Sequence, residues 1–265
     1  MKISEQKLRE SFRNGELATK LPIIIYDTIG STNTEAKEYA KSASVPYALF
    51  IANGQTAGRG RLGRSFISGH GTGLYMSLLV ALDKSIADAV SVTAYTAVIV
   101  KRALYELYGI YPSIKWVNDI ILSDKKLAGI LTEGILEPGT DKLKYAVIGI
   151  GLNVSGKALP EEIKDIATTL EMCGVSSASR EEIAARICEL FLRELDKIGT
   201  VENATEYRSA SCIIGKEVNV IKPHGTYVAK VLDITDKCEL VLELPMAKTE
   251  ILSAGEVSIR PTRVK

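Results

Sequence analysis

The chain is poor in the residues that build metal and disulfide frameworks. Its four cysteines (Cys173, Cys188, Cys212 and Cys238) form no C-x-x-C pair, and there are two histidines, His70 and His224. No familiar zinc spacing fits this set, and such a low cysteine density is not that of a disulfide-stapled scaffold. No signal-peptide pattern opens the sequence, so the thiols are expected reduced and the protein cytoplasmic. Long apolar runs are also missing; none approaches the roughly 20 residues that cross a bilayer, and no membrane partner is expected. Nor is there an excess of one charge: 33 Lys and Arg face 32 Asp and Glu, a formal net charge of +1. Proteins whose main partner is duplex nucleic acid carry strongly basic surfaces, so no DNA partner is expected. The residues before Leu21 are polar, helical at best and too few for a helix-turn-helix domain, so no repressor function is implied.

Against that neutral background one segment is extreme. Gln55 to Ser77 reads QTAGRGRLGRSFISGHGTGLYMS, with Arg59, Arg61 and Arg64 set among glycines and a second cluster at Gly69, Gly71 and Gly73. Glycine lets backbone approach a ligand closely, and guanidinium forks match carboxylate and phosphate oxygens in pairs. With so little net charge elsewhere, the loop reads as a small-anion site that orders around its ligand. Gly58-x-Gly60-x-x-Gly63 fits the dinucleotide fingerprint, and Gly58-x4-Gly63-Arg64-Ser65 is one residue from a P-loop. Both require a helix opening at the last glycine. The sequence instead runs into Leu74 to Val80, a buried-strand pattern, which removes the context both motifs need.

With 265 residues, 46% of them hydrophobic, the chain can bury a large domain and a small one. A strand is expected at Ile23 to Asp27, then a helix opened by a Thr32/Glu35 capping box, with Ala36, Tyr39, Ala40 and Ala43 at helical spacing. Strands follow at Ala48 to Ala52 and Gly73 to Ala81. A long buried helix is expected over Ile86 to Tyr108. Short strands around Ile114 to Trp116 and Ile120 to Leu122 precede longer ones at Lys126 to Leu136 and Tyr145 to Asn153, with a hairpin turn at Ser123-Asp124-Lys125. Helices are predicted near Glu161 to Cys173 and, behind the Ser179-x-x-Glu182 capping box, to about Ile198. Short connections between consecutive strands point to an α+β fold with a mixed or antiparallel sheet. From Ile213 the period changes. Strands at Glu217 to Val220, Tyr227 to Val231, Glu239 to Leu244 and Glu256 to Ile259, with turns at Pro223-His224-Gly225 and Asp236-Lys237, predict a small β-barrel of about fifty residues. The expected domains are 1–211 and 212–265.

Four further segments stand out: Ser31-Thr32-Asn33 at a helix start, Lys115-Trp116-Val117-Asn118-Asp119, Lys126-Leu127-Ala128-Gly129-Ile130 and Gly149-Ile150-Gly151-Leu152-Asn153. Singly each has an ordinary structural explanation. In order and spacing, GRGRLGR, KWVND, KLAGI and GIGLN resemble the biotin protein ligase family, from about Tyr26 to Arg260, including the Gly-Glu-Val-Ser-Ile-Arg ending at Gly255 to Arg260. The resemblance implies a class II aminoacyl-tRNA synthetase-like catalytic domain, as in biotin and lipoate ligases, with an SH3-like C-terminal barrel. It also implies a two-step reaction. Biotin is activated by ATP, with Mg2+, to biotinyl-5'-AMP and pyrophosphate. The biotinyl group then passes to a lysine of a biotin carboxyl carrier protein domain.

By the same resemblance, Lys126 and Arg61 are the catalytic candidates. Lys126 would neutralise charge between the biotin carboxylate and the α-phosphate. Arg59, Gly60 and Arg61 would line the biotin and phosphate region and close over the adenylate. Biotin's ureido ring is neutral and calls for uncharged donors and acceptors; Ser31, Thr32, Asn33 and Gln55 fit that task, and Trp116 serves either the biotin tail or the core. Gly58, Arg61, Arg64, Phe66, Asn118 and Asn153 are expected near ATP or the adenylate, and Asp119 is the metal candidate. Two positions depart from the family pattern. Phe66 replaces a frequent tryptophan, offering a smaller face to adenine. Val117 replaces a frequent proline, leaving that turn less preorganised. The competing readings are a lipoate or octanoate ligase, whose adjacent arginines and Gly triplet are absent here, and a nucleic-acid-binding module, disfavoured by low charge and few loop aromatics. Exposed sheet edges suit a homodimer as well as a monomer.

Overall fold

The computed structural model describes residues 2–42, 44–222 and 225–258. Ala43, the Pro223-His224 part of the expected turn, and Ile259 and Arg260 of the expected last strand lie outside them. The amino-terminal stretch forms two short helices, α1 (Glu5–Ser11) and α2 (Gly15–Lys20), capped by Ser4 and Asn14. They are more than a polar lead-in, because Leu8, Phe12, Leu17 and Leu21 are buried in the main core.

A seven-stranded sheet follows. Strand β1 (Ile23–Ile29) is joined by helix α3 (Thr32–Ala40) to β2 (Tyr47–Gln55), and these two strands are parallel. After β3 (Gly73–Val80) comes helix α4 (Ala89–Tyr108), then β4 (Ser113–Lys115), β5 (Asp119–Leu122), β6 (Lys125–Leu136) and β7 (Leu143–Asn153). The spatial order is β1-β2-β3-β7-β6-β5-β4, and every pair except β1/β2 is antiparallel, so the sheet is mixed. Ser123 and Asp124, both at positive φ, make the β5/β6 hairpin turn. The α4 helix is preceded by a tight turn at Ile86–Asp88, which carries a Ser85/Asp88 capping box, and ends at left-handed Gly109. The expected helix start at Ile86 therefore moves to Ala89.

Both faces of the sheet are covered. Ala36 and Ala40 of α3 pack on Phe50, Leu79 and Val147. On the other face α4 meets α5 (Arg180–Arg193) and α6 (Val201–Ser209), burying Ile51, Met76, Leu78 and Ile148 with Val98, Ile187 and Phe191. The Ser179 hydroxyl accepts from the Glu182 N–H as the capping box requires, but α5 stops at Arg193, short of Ile198. The helix expected near Glu161 to Cys173 does not form. Lys126 N–H donates to Ile166 C=O and Thr168 N–H to Lys126 C=O, so this segment lies along the start of β6 with its backbone bonds spent there.

The carboxy-terminal part is a second, five-stranded antiparallel sheet: β8 (Glu217–Lys222), β9 (Gly225–Ile234), β10 (Leu240–Leu244), β11 (Lys248–Leu252) and β12 (Glu256–Ser258), ordered β11-β10-β9-β8-β12. Strand β11, rich in polar residues, had no sequence signal. Val220, Val231, Leu240 and Val257 continue the main core. Trp116 Nε1 donates to Cys238 C=O at 2.8 Å and Arg208 Nε to Ile234 C=O at 2.6 Å, so the two sheets are joined by buried and half-buried polar contacts.

Candidate functional site

A cavity of about 130 Å³ opens where the start of α3, the end of β2, the Arg loop, the middle of β6 and β7 and the edge strand β12 converge. Ser31, Thr32, Asn33, Gln55, Arg59, Gly60, Arg61, Arg64, Phe66, Trp116, Asn118, Asp119 and Lys126 all line it. Four separate motifs thus meet in one place. Gly58 and Asn153 do not reach it. A Cβ on Gly58 would stand 2.3 Å from Phe66 C=O and 2.5 Å from Ser68 Oγ, so this glycine permits a close crossing inside the loop. Asn153 Nδ2 donates to Thr168 C=O at 3.0 Å, tying the end of β7 to the 160–173 segment.

Part of the cavity lining is a neutral polar row. The expected capping box at Thr32 is absent: Ser31 is the N-cap and makes no side-chain cap bond. The Thr32 hydroxyl is turned instead toward Gln55 Oε1, at 3.1 Å, which also accepts from Thr32 N–H at 2.8 Å. Gln55 Nε2 donates to Ser68 Oγ at 3.0 Å, and Ser68 Oγ donates to Phe66 C=O at 2.9 Å, so the row runs into the Arg loop. Asn33 Nδ2 donates to Leu131 C=O and Glu133 Oε2, and its oxygen faces the Ser77 hydroxyl at 2.6 Å. Thr32, Asn33, Ser68 and Ser77 are buried and Gln55 is partly so, and their bonds are needed to offset desolvation.

The cations that line the cavity are paired internally, and Arg59 meets the row itself through Glu133 Oε2, which Asn33 also contacts. Lys126 Nζ lies 2.6 Å from Asp119 Oδ1, Arg59 3.0 Å from Glu133 and Arg64 2.6 Å from Glu256. Arg61 donates to Asn118 Oδ1 at 3.4 Å and to Gly255 C=O at 3.1 Å. Burial holds the Arg61 guanidinium below its usual pKa, opposed by Asp119 and Glu256. Burial acts to raise the Glu133 carboxyl, but the Asn33 hydrogen bond and the Lys37 and Arg59 charges outweigh it, and the net shift is downward. Asn118 Nδ2 also donates to Ile130 C=O at 2.9 Å, which fixes its side chain across the strand turn. Val117 is buried and its carbonyl accepts from Tyr207 at 3.0 Å, so the turn is anchored without a proline.

Three glycines form the floor. An added Cβ on Gly149 would stand 2.1 Å from Asn33 Oδ1, one on Gly151 2.5 Å from the Phe66 ring, and one on Gly129 3.1 Å from Lys126 Nζ. Phe66 therefore rests against the floor at Gly151, 6.4 Å from Tyr75 between ring centroids, with Lys126 Nζ 6.0 Å from its centroid. Gly149 and Gly151 lie in the last part of β7, which ends at Asn153, and there they clear space for Asn33 and Phe66. Ser77 and Glu133 belong to no motif, and Glu256, although part of the Gly255 to Arg260 ending, gives no sequence sign of its pairing with Arg64.

The donor set does not build a metal cage. The carboxylates of Asp119, Glu133 and Glu256 are each committed to a cation, and no group of three or more metal-ligating side chains occurs among the described residues. Asp119, the expected metal ligand, is the partner of Lys126.

A mixed sheet with a buried polar row, a guanidinium loop and an abutting second sheet defines the class that comparison then names. Residues 26–153 match the Biotin/lipoate A/B protein ligase family and residues 213–260 the Biotin protein ligase C terminal domain. The chain is 33% identical over 258 residues to the bifunctional ligase/repressor BirA of Bacillus subtilis, covering 96% of this chain and 78% of that one. It is 32% identical over 269 residues to the biotin--[acetyl-CoA-carboxylase] ligase of Mycobacterium tuberculosis, covering 96% and 95%. The biotin protein ligase from Aquifex aeolicus solved with biotin and ATP superposes with a TM-score of 0.75 at 27% identity, covering 89% of this chain and 97% of that one. The chain belongs to the biotin protein ligase family.

Proposed function

We infer that the protein activates biotin with ATP to biotinyl-5'-AMP and transfers biotin to a lysine of a biotin carboxyl carrier protein domain. One observation carries this reading: a single cavity is lined both by the neutral polar row Ser31, Thr32, Asn33 and Gln55 and by the cations Arg59, Arg61, Arg64 and Lys126. The row suits a cyclic urea, and the cations suit a carboxylate meeting a triphosphate, two anions whose approach is costly without fixed positive charge. In the first step a biotin carboxylate oxygen bonds to the α-phosphorus, and the bond from that phosphorus to the bridging oxygen breaks to release pyrophosphate. In the second, the carrier amine bonds to the acyl carbon and AMP departs with the acyl–oxygen electron pair.

In this reading Ser31, Thr32, Asn33 and Gln55 hold the urea and Trp116 supports the tail. Lys126 and Arg61 sit between carboxylate and α-phosphate, while Arg59 and Gly60 flank them. Arg64, Phe66 and Asn118 belong to the nucleotide side. Lys126 must leave Asp119 for the ligand anions, which makes Asp119 a positioning residue. Magnesium enters with the nucleotide, and no step is assigned to a protein-held metal, because the carboxylates present are already paired. The cavity is well below the roughly 300 Å³ of small-molecule pockets, so the Arg loop has to lift and reclose around the ligands, excluding water. Phe66 gives up its place on Gly151 in that motion and covers the nucleotide.

We place the domain boundary at 211/212, where Cys212 N–H donates to Ile114 C=O just before the second sheet begins. Four free thiols agree with a cytoplasmic setting. Edge strand β1 leaves backbone groups open to a second copy of the chain, whereas β4 is covered by residues 210–212, and sedimentation distinguishes that homodimer from a monomer. The decisive test is biotin-dependent exchange of labelled pyrophosphate into ATP, with lipoate and octanoate in parallel. Exchange with biotin alone is expected. Exchange with lipoate or octanoate instead would move the protein to that branch of the family, and exchange with none would refute the ligase reading. The nucleic-acid reading has no support in a cavity this enclosed and internally paired.

A further inference from the structure

Strand β3 is apolar or aromatic from Leu74 to Val80 except at Ser77, which is fully buried. A hydroxyl enclosed there is costly unless bonded, and alanine would fill the same place without that demand. Its two partners belong to the polar row: Asn33 Oδ1 at 2.6 Å and Thr32 Oγ1 at 2.7 Å.

The protons available decide what this arrangement does. Asn33 Nδ2 is spent on a carbonyl and a carboxylate, Leu131 C=O and Glu133 Oε2, so the amide oxygen must face Ser77. An amide oxygen only accepts, so Ser77 donates its one proton there. The same hydroxyl is directed at Thr32 Oγ1, 2.7 Å away, and the Thr32 proton goes on to Gln55 Oε1, which also accepts from Thr32 N–H. Removing the Ser77 hydroxyl leaves Asn33 Oδ1 and Thr32 Oγ1 without the group that orients them.

We propose that Ser77 is a positioning residue which, from beneath the row, holds the Thr32 hydroxyl and the Asn33 amide in the orientation that a cyclic urea meets. This rests on the biotin reading of the site. Ser77 lines no part of the cavity itself, and it acts through its neighbours.

The test is pyrophosphate exchange with wild type, Ser77→Ala and Ser77→Thr. Ser77→Ala is expected to raise the KM for biotin at least tenfold and to leave the KM for ATP within twofold. Desthiobiotin, which keeps the urea and lacks the sulfur, is expected to suffer the same factor, and Ser77→Thr, which restores the hydroxyl, to recover most of it. An unchanged KM for biotin in Ser77→Ala, with wild type active, overturns the proposal alone. So does a parallel rise in both KM values that Ser77→Thr does not rescue, since a merely structural role behaves that way. Should Ser77→Ala be insoluble, Ser77→Cys, similar in size but a weak donor, must still raise the KM for biotin several-fold, and an unchanged value refutes the idea. Wild type without biotin-dependent exchange refutes the functional reading and the proposal with it.

Discussion

Gly149→Ala is a substitution that touches no ligand and acts on one through a single side chain. Gly149 lies in regular strand within β7, so alanine meets no backbone strain. Its Cβ would sit 2.1 Å from Asn33 Oδ1, 2.9 Å from Cγ and 3.0 Å from Nδ2, and the amide has to move. Moving it breaks the bonds to Ser77, Leu131 and Glu133. At about 0.5–1.5 kcal/mol each, these three bonds hold the native Asn33 orientation by about 1.5–4.5 kcal/mol. A ligand that needs that orientation must restore it, so biotin affinity is expected to fall by about 2 kcal/mol, or roughly thirtyfold at 1.4 kcal/mol per decade. In the proposed reading ATP meets Arg64, Phe66 and Asn118 rather than Asn33, and its KM is expected to stay within twofold. Initial-rate pyrophosphate exchange measures both, alongside a thermal melt to show that the fold survives. An unchanged KM for biotin would mean that Asn33 is not part of the recognition row.

Lys126→Ala is expected to cut adenylate formation about a hundredfold or more, as loss of a charge-stabilising donor does, while retaining biotin binding; unchanged turnover would remove this lysine from the mechanism. Glu133 has a pKa below its ordinary 4.5, so the pairing that it supplies is fully present above pH 4.5 and lost as pH falls through the lower folded value. Thermal stability measured from pH 6 to 3 should drop in that acid window for wild type and lose this component in Glu133→Gln; identical profiles would contradict the assignment. Trypsin should cut at Arg59, Arg61 or Arg64 in the free protein, and biotin with ATP should suppress the cut. Equal cleavage rates with and without ligands would show that the loop does not close over them.

Much of this site was legible because its chemistry sits in short motifs. Arg59 to Arg64, Asn118, Lys126 and Ser31 to Asn33 carry residue types too specialised for their surroundings, and all reach the cavity. What stayed hidden was set by tertiary pairing. Ser77 reads as one small residue in a core strand, and Glu133 as the polar face of β6, until α3 is laid across them. Glu256 meets Arg64 from 192 residues away, with no local pattern to announce it. The capping box at Thr32 and the helix near Glu161 failed for a shared reason: a local preference lost to a distant partner, Gln55 in one case and the Lys126 backbone in the other. Gly58 and Asn153 carry structural duties beside any motif role: Gly58 permits a close crossing inside the Arg loop, and Asn153 ties β7 to the segment at Thr168.

The internal pairing of the cations explains how such a site can wait for its ligands. Four unpaired cations around so small a cavity would repel one another and destabilise the loop that carries three of them. Glu133, Asp119 and Glu256 remove that cost, each in a bond that a ligand oxygen can replace. The Arg59–Glu133 and Arg64–Glu256 pairs join exposed arginines to mostly buried carboxylates, and Glu133 keeps Lys37 and Asn33 as partners when Arg59 moves away. Arg61 differs. It is more enclosed, and its hydrogen bonds reach both Asn118 on the main sheet and Gly255 before β12. Opening by the outer two arginines about an anchor at Arg61 would admit biotin along the neutral row while keeping one guanidinium at the place where carboxylate and α-phosphate meet. The second sheet supplies, through Gly255 and Glu256, a wall that the loop already contacts, and in the proposed reading this gives it a part in the first chemical step.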